Sequence, residues 1–259
     1  MKSVSFVAVL NVSPESRVPG SVATGEQEIL HKARELLEAG ADWVELGARS
    51  ISEGVARLSD AEEQERLMPV LAHLAAEGIP LMVDTWSEET AIRSVEAGVG
   101  IVNFTGRHPS RSFHRYLGEH DVPMICTFMA YADAYDMRDQ PCANYGLDEI
   151  LSYFREEQEK AKAEGCRIIA DPNLGIFHPE ISDADKLAYQ LQAIDALLPL
   201  GEMGLERYIY SPRKESLVSR QLMAQLIHRA GPEFVRVHEP RIYQDAAAAL
   251  DRRRETALI

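Results

Sequence analysis

The 259-residue chain is short of basic residues, of cysteine and of long apolar runs, and each shortage excludes something. Lys and Arg number 27 against 41 Asp and Glu, for a formal net charge of −14. So acidic a chain repels phosphate backbones, and no nucleic-acid partner is expected. Its one basic cluster, Arg252-Arg253-Arg254, reads as a solvated helix end. The three cysteines (Cys126, Cys142 and Cys166) are odd in number and lack Cys-x-x-Cys spacing. They argue against a disulfide framework or a zinc site and for a reducing compartment. The apolar run in "MKSVSFVAVLNVSPES" is too short to span a bilayer, and no signal-peptide cleavage pattern follows it. A cytoplasmic protein with no membrane partner is the expectation. Absent too is a Gly-rich first turn, because "NVSPESRVPG" is not the phosphate-cradling loop of a dinucleotide-binding sheet.

What the chain has is alternation. "VSFVAVLNV" (4–12) is rich in branched residues and reads as a strand. "EQEILHKARELLEAG" (26–40) carries apolar residues at helical spacing and stops at a glycine. The pattern repeats through "DWVELGA", "IPLMVDT", "GIVNFTG", "VPMICTFM", "CRIIADPNLG", "ERYIYSP" and "EFVRVHEP", with amphipathic stretches between them. Eight strands and eight helices in turn imply a parallel sheet covered by helices. Eight such units in this length fit a single-domain (β/α)₈ barrel over residues 1–259, with a doubly wound open sheet as the alternative.

Barrels of this kind place their chemistry at the C-terminal ends of the strands. The polar residues there are Asn11, Asp84, Asn103, Asp171, Arg213, Lys214, Arg236 and His238. Each has a bland explanation alone: Asp84 or Asp171 as a cap for the following turn, Asn103 as a turn residue, His238 as a satisfied histidine. Their convergence on one rim does not. Carboxylates accept from a planar edge with two N–H groups side by side, while Lys and Arg suit a carbonyl oxygen, ring nitrogens or a phosphate. A flat heterocycle with a phosphorylated arm would use both. No His-x-His spacing supports a metal site built from protein ligands alone.

At these residues the chain resembles the dihydropteroate synthase family and the wider pterin-binding barrels, over nearly its whole length. "VLNVSPES" resembles the first-strand Leu-Asn-Val-Thr-Pro-Asp-Ser motif. "MVDTWSEETAIRSVEAGVGIVNFTG" resembles the Asp-Thr and Ile-Asn-Asp stretch, and "IIADPNLGIFH" the Asp-Pro-Gly-Ile-Gly-Phe motif. "SPRKES" and "VRVHEP" resemble Ser-Arg-Lys-Ser and Arg-Val-His-Asp-Val. The resemblance implies that Asp84, Asn103 and Asp171 hold the pterin edge, that Lys214 bonds the ring, and that Arg236 packs on it and meets the diphosphate. It places Asn11 and His238 near Mg²⁺ and diphosphate, with Asn11 as the metal contact and Lys214, Arg236 and His238 as the catalytic group. The implied reaction joins a dihydropterin-CH₂-diphosphate to an arylamine such as p-aminobenzoate, with loss of diphosphate. A homodimer through the last helices is also implied, although the Ala-rich face of "RIYQDAAAALDRRRETALI" serves equally to close the barrel.

The chain departs from the family pattern mainly in its loops. The family's second loop reads Gly-Gly-Glu-Ser-Thr-Arg-Pro-Gly, and here it is "GARSISEG" (47–54). Arg49, Ser50 and Ser52 are the substrate-loop candidates, with Arg49 as a positive charge relocated within the loop. Thr127 stands where the family has a Met beneath the pterin. Two other readings stay open: a non-catalytic pterin-binding paralogue, and a pterin-dependent methyltransferase-type enzyme.

Overall fold

The computed structural model describes residues 4–12, 26–51, 55–212 and 216–256. Ser52, Arg213 and Lys214 lie outside the described residues. Eight strands close into one parallel barrel in chain order. They are β1 (Ser5–Asn11), β2 (Trp43–Gly47), β3 (Leu81–Thr85), β4 (Ile101–Phe104), β5 (Met124–Thr127), β6 (Ile168–Asp171), β7 (Glu206–Tyr210) and β8 (Phe234–Val237). The seam pairs β1 with β8, Ser5 opposite Phe234 and Ala8 opposite Val237. Around the barrel run α1 (Glu26–Glu38), α2 (Asp60–Ala76), α3 (Glu88–Glu96), α4 (Arg111–Glu119), α5 (Ala134–Asp139), α6 (Leu147–Ala163), α7 (Asp183–Glu202), α8 (Leu217–Ala230) and α9 (Pro240–Thr256). The alternation read from the sequence holds, with one addition. The short α5 was not foreseen; Asp133 caps it by accepting from the N–H groups of Tyr135 and Asp136.

Local chemistry sets the helix ends. Ser59 caps α2 in a reciprocal box with Glu62, satisfying two backbone donors that the first turn leaves without partners. Ser87, Ser110, Ser182 and Ser216 cap α3, α4, α7 and α8, each side chain accepting from one first-turn N–H. Gly231 ends α8 at φ 69°, a left-handed conformation that costs any residue with a Cβ.

Successive strand side chains point to opposite faces, and that period of two builds two cores. The outward set, including Leu46, Val83, Val102 and Ala170, packs under the helices. The inward set forms a plug of Val7, Met82, Ile101, Ile125, Ile169, Tyr208 and Phe234, with Trp43 beside it. Two residues further along each strand, on the same inner face, sit Val9, Glu45, Asp84, Asn103, Thr127, Asp171, Tyr210 and Arg236. An apolar floor thus carries a polar ring at the C-terminal end.

α9 packs onto α8 and buries Tyr243, Ala246 and Leu250, so its apolar face closes the barrel. The solvent-facing apolar side chains lie elsewhere. Leu187, Leu191 and Leu198 of α7 and Leu217, Val218, Leu222 and Leu226 of α8 are 41–64 % exposed on neighbouring helices. Among the described residues, no helix is long and apolar enough to cross a membrane.

Candidate functional site

Above the polar ring lies a cavity of about 790 Å³ including its open mouth. Asn11, Asn103, Thr105, Asp171, Asn173, Tyr208, Tyr210, Arg236 and His238 line it, with Ile51, Gly175 and Ile176 on one wall. Of the residues singled out in the sequence, Asn11, Asn103, Asp171, Arg236 and His238 therefore share one cavity. Asp84 joins them through two neighbours: its Oδ1 accepts from the Thr105 hydroxyl at 3.2 Å and its Oδ2 lies 3.3 Å from Arg236 Nη2.

Asp171 ends β6 and is almost fully buried. Its Oδ1 accepts from the backbone N–H of Asn173 at 2.9 Å, and its Oδ2 from the Thr127 hydroxyl at 3.3 Å. Burial outweighs those bonds and raises its pKa from the ordinary carboxylate value to about 7. Asn173 follows at φ 63°; its side chain accepts from the N–H groups of Gly175 and Ile176 and shapes the β6 loop as an Asx turn. The same Thr127 hydroxyl lies 3.4 Å from Asn103 Oδ1. One hydroxyl proton faces two acceptors, so Thr127 can serve both carbonyl and carboxyl only when Asp171 itself carries a proton.

Sequence reasoning missed Glu45. It is fully buried on β2, and its Oε2 accepts from Asn103 Nδ2 at 2.9 Å and from the Tyr208 hydroxyl at 3.2 Å. Its Oε1 lies 2.8 Å from Arg236 Nε. That N–H points off the oxygen and makes no aligned hydrogen bond, so the contact is mainly Coulombic. Burial raises the Glu45 pKa against the lowering influence of Arg236. The signal was available: Glu45 stands two residues beyond Trp43, as Asp84 stands beyond Met82 and Arg236 beyond Phe234.

The second loop behaves differently from its sequence reading. Arg49 turns away from the cavity. Its side chain is 4 % exposed, ion-paired with Asp60 and with Glu63, where Nη2 to Oε2 is 3.1 Å. Its guanidinium lies 4.5 Å above the Trp86 ring. Glu63 is buried, accepts from the Thr85 hydroxyl at 3.0 Å, and has its pKa raised by burial to about 7. Ser50 is buried as well, and among the described residues of the loop Ile51 reaches the cavity wall. Beyond it, Arg57 pairs with Asp139 of α5 and Leu58 N–H donates to the Tyr135 hydroxyl at 3.1 Å, tying loop to helix.

The C-terminal mouth of this parallel barrel, the end where such barrels bind their ligands, thus holds a cavity lined by the Asp171 carboxyl, the Asn103 amide and the Arg236 guanidinium. The chain matches the model of the family described as pterin binding enzyme over residues 7–209, and it belongs to that family. That stretch includes Asp84, Asn103 and Asp171 and ends before Arg236 and His238. The chain is 27 % identical to the dihydropteroate synthase type-2 of Escherichia coli, over all of this chain and 99 % of that one. Its fold is shared with the Yersinia pestis dihydropteroate synthase solved with a sulfonamide drug complex, at TM-score 0.79 and 22 % identity over 98 % of this chain and 94 % of that one. The Xanthomonas albilineans dihydropteroate synthase solved with 4-aminobenzoic acid superposes at TM-score 0.77 and 23 % identity, over 97 % and 93 %.

Proposed function

We propose that this chain is a transferase of the dihydropteroate synthase type. It joins a dihydropterin-CH₂-diphosphate to an arylamine such as p-aminobenzoate. The observation that carries this is one cavity lined by Asn103, Asp171 and Arg236, with Asp84 held against Arg236 at 3.3 Å. The pterin's adjacent N–H groups fit the carboxylates of Asp171 and Asp84 and the carbonyl of Asn103. The guanidinium of Arg236 lies toward the diphosphate arm and, with His238, holds negative charge as it collects on the leaving group. The amine nitrogen attacks the CH₂ carbon, the carbon–oxygen bond to diphosphate breaks with its electron pair, and the amine's surplus proton passes to solvent. No side chain has to form a covalent bond. Lys214 joins this group in the proposal from its motif alone.

Among the described residues no cluster of three acidic, histidine or cysteine side chains is placed to hold a metal. The donor set nevertheless fits Mg²⁺, which keeps most of its waters and takes substrate phosphate oxygens beside one or two protein oxygens. Asn11, on the cavity wall beside His238, would supply one. When bound, Mg²⁺ neutralises diphosphate charge.

The proposal extends to assembly and setting. The leucine rows of α7 and α8, rather than α9, are the homodimer seam, because a single two-fold would bury both rows against their own copies. Replacing Val218 and Leu222 together by Glu should give monomers in sedimentation; an unchanged mass would overturn the assignment. The three cysteines are free thiols, which accords with a cytoplasmic protein.

The deciding assay incubates the protein with dihydropterin-CH₂-diphosphate and Mg²⁺, with and without p-aminobenzoate, and follows diphosphate and dihydropteroate. Formation of both, dependent on the amine, is the expected result. A specific observation favours one rival: with Arg49 locked onto Glu63 and Ile51 on the cavity wall, the described part of the second loop offers the amine no cation. Pterin binding without diphosphate release would identify a non-catalytic paralogue instead. By the same geometry sulfonamides should compete weakly.

A further inference from the structure

Glu45 has no part in the chemistry above, yet it touches three of the cavity's lining residues from beneath. We propose that Glu45 is a positioning residue: it fixes the side-chain amide of Asn103 in the orientation that the ligand meets, and its charge draws the guanidinium of Arg236 to the cavity edge. This rests on the cavity being the pterin site. Glu45 does not itself line the cavity, whereas Asn103, Tyr208 and Arg236, its three partners, all do.

An asparagine amide can be seated two ways, and only one lets it donate to a carboxylate. Glu45 Oε2 accepts from Nδ2 at 2.9 Å, so Nδ2 is held down and Oδ1 is turned toward the Thr127 hydroxyl. Asn103 therefore enters the site as an acceptor, the sense a pterin N–H requires. Arg236 is held between two strands, by charge attraction to Glu45 on β2 and by the Nη2–H bond to Asp84 Oδ2 on β3, which keeps its guanidinium at the cavity edge. A carboxylate in the barrel interior is a poor choice for packing alone. Apolar side chains of similar volume usually replace a buried ion pair at no loss of stability. The layer immediately below, Trp43, Met82, Ile101 and Phe234, is built that way.

The test uses the isosteric Glu45→Gln and the double variant Glu45→Gln/Asn103→Asp. The first readout needs no ligand: the side-chain amide resonances of Asn103 by NMR. In the native protein its Nδ2 protons should be shifted and protected from exchange. In Glu45→Gln the new NH₂ faces Nδ2, the amide turns over, and that signature should vanish. The second readout is the dissociation constant for a hydroxymethyl-substituted pterin. It should rise about 10- to 100-fold in Glu45→Gln, as it does for supporting groups around other sites, with little change in melting temperature. The double variant gives the introduced glutamine an acceptor again and leaves a second carboxylate oxygen facing the site, so it should regain at least a tenth of the native affinity. Asn103 resonances unchanged in Glu45→Gln would overturn the proposal, as would a turned amide with native pterin affinity. A native protein that binds no pterin would refute the functional reading, while the Asn103 resonances would still decide whether Glu45 positions the amide.

Discussion

Asp84 and Thr85 are neighbours on β3 that feed two charge clusters back to back. Asp84 points inward to Arg236 and, through it, to Glu45; Thr85 points outward to Glu63 and, through it, to Arg49 and Asp60. The parts are the same: a fully buried glutamate with raised pKa, an arginine and an aspartate. Their surroundings differ. Arg236 has the open cavity beside it, and Arg49 has an indole face over it. A buried arginine that meets a cavity can answer a ligand. One that is sandwiched can only fasten chain to chain, here the start of the second loop to α2 and β3. Charge type therefore says little about role in this molecule; what stands on the arginine's remaining face decides it.

Variants of the inner cluster should lose ligand affinity and keep stability, and variants of the outer one should do the reverse. The largest effect is expected for Asp171→Asn, on the same inner ring and within the field of Arg236 and Glu45. It turns an acceptor into a donor facing a ligand N–H, a loss of about 2–4 kcal/mol, or roughly 30- to 1000-fold in pterin affinity. With a folded pKa of about 7, Asp171 favours folding while it can hold its proton, and that contribution is lost as pH rises through 7. The empty Asn variant should therefore melt as high as the native protein near pH 4 and higher at pH 8. Native pterin affinity should fall as pH drops below about 7, because N–H donors need the ionised carboxylate. Calorimetric titrations beside thermal melts at several pH values check all three. An Asn variant that melts lower while binding pterin normally would reduce Asp171 to a turn cap.

Arg49→Met comes next. It leaves Glu63 buried without its cation, worth about 3 kcal/mol of stability when the carboxylate is charged. Glu63 then takes a proton more readily still, so the loss should be clear at pH 8 and smaller at pH 6 in denaturant titrations. Pterin affinity should stay within about threefold, since the clusters share no partner; a large drop would make the outer cluster part of the site. The smallest effect is expected for Arg57→Ala. Its pair with Asp139 is solvent-exposed, so the melting temperature should not move measurably. A clear fall would show that the tie between loop and α5 holds more than its own ends.

The architecture was legible because burial writes itself into sequence as period. Apolar strands between amphipathic helices left few arrangements, and the polar ends of those strands marked the rim. Asn11, Asp84, Asn103, Asp171, Arg236 and His238 were legible as a group for the same reason. Glu45 was not, because "WVELGA" reads as one apolar run and a single acid inside it looks incidental until its register with Trp43 is counted. Arg49 was misread in direction: its partner Glu63 lies in the next helix, and no local pattern tells a loop arginine which way to turn. α5 escaped because fewer than two turns carry no apolar stripe.

The seam between β1 and β8 has a consequence in time. Residues 5–8 find their strand partner only at residues 234–237. At a synthesis rate of roughly 5–20 residues per second, the first strand spends on the order of ten to fifty seconds with one edge unpaired. Arg236 arrives on the strand that ends that wait. The nascent chain thus carries its carboxylates long before their counter-charge, and the interior of the barrel stays electrostatically unfinished until the ring shuts. Closure of the fold and completion of the site are one event, so a chain stalled before β8 exposes both a sticky strand edge and a set of acids with nothing to hold.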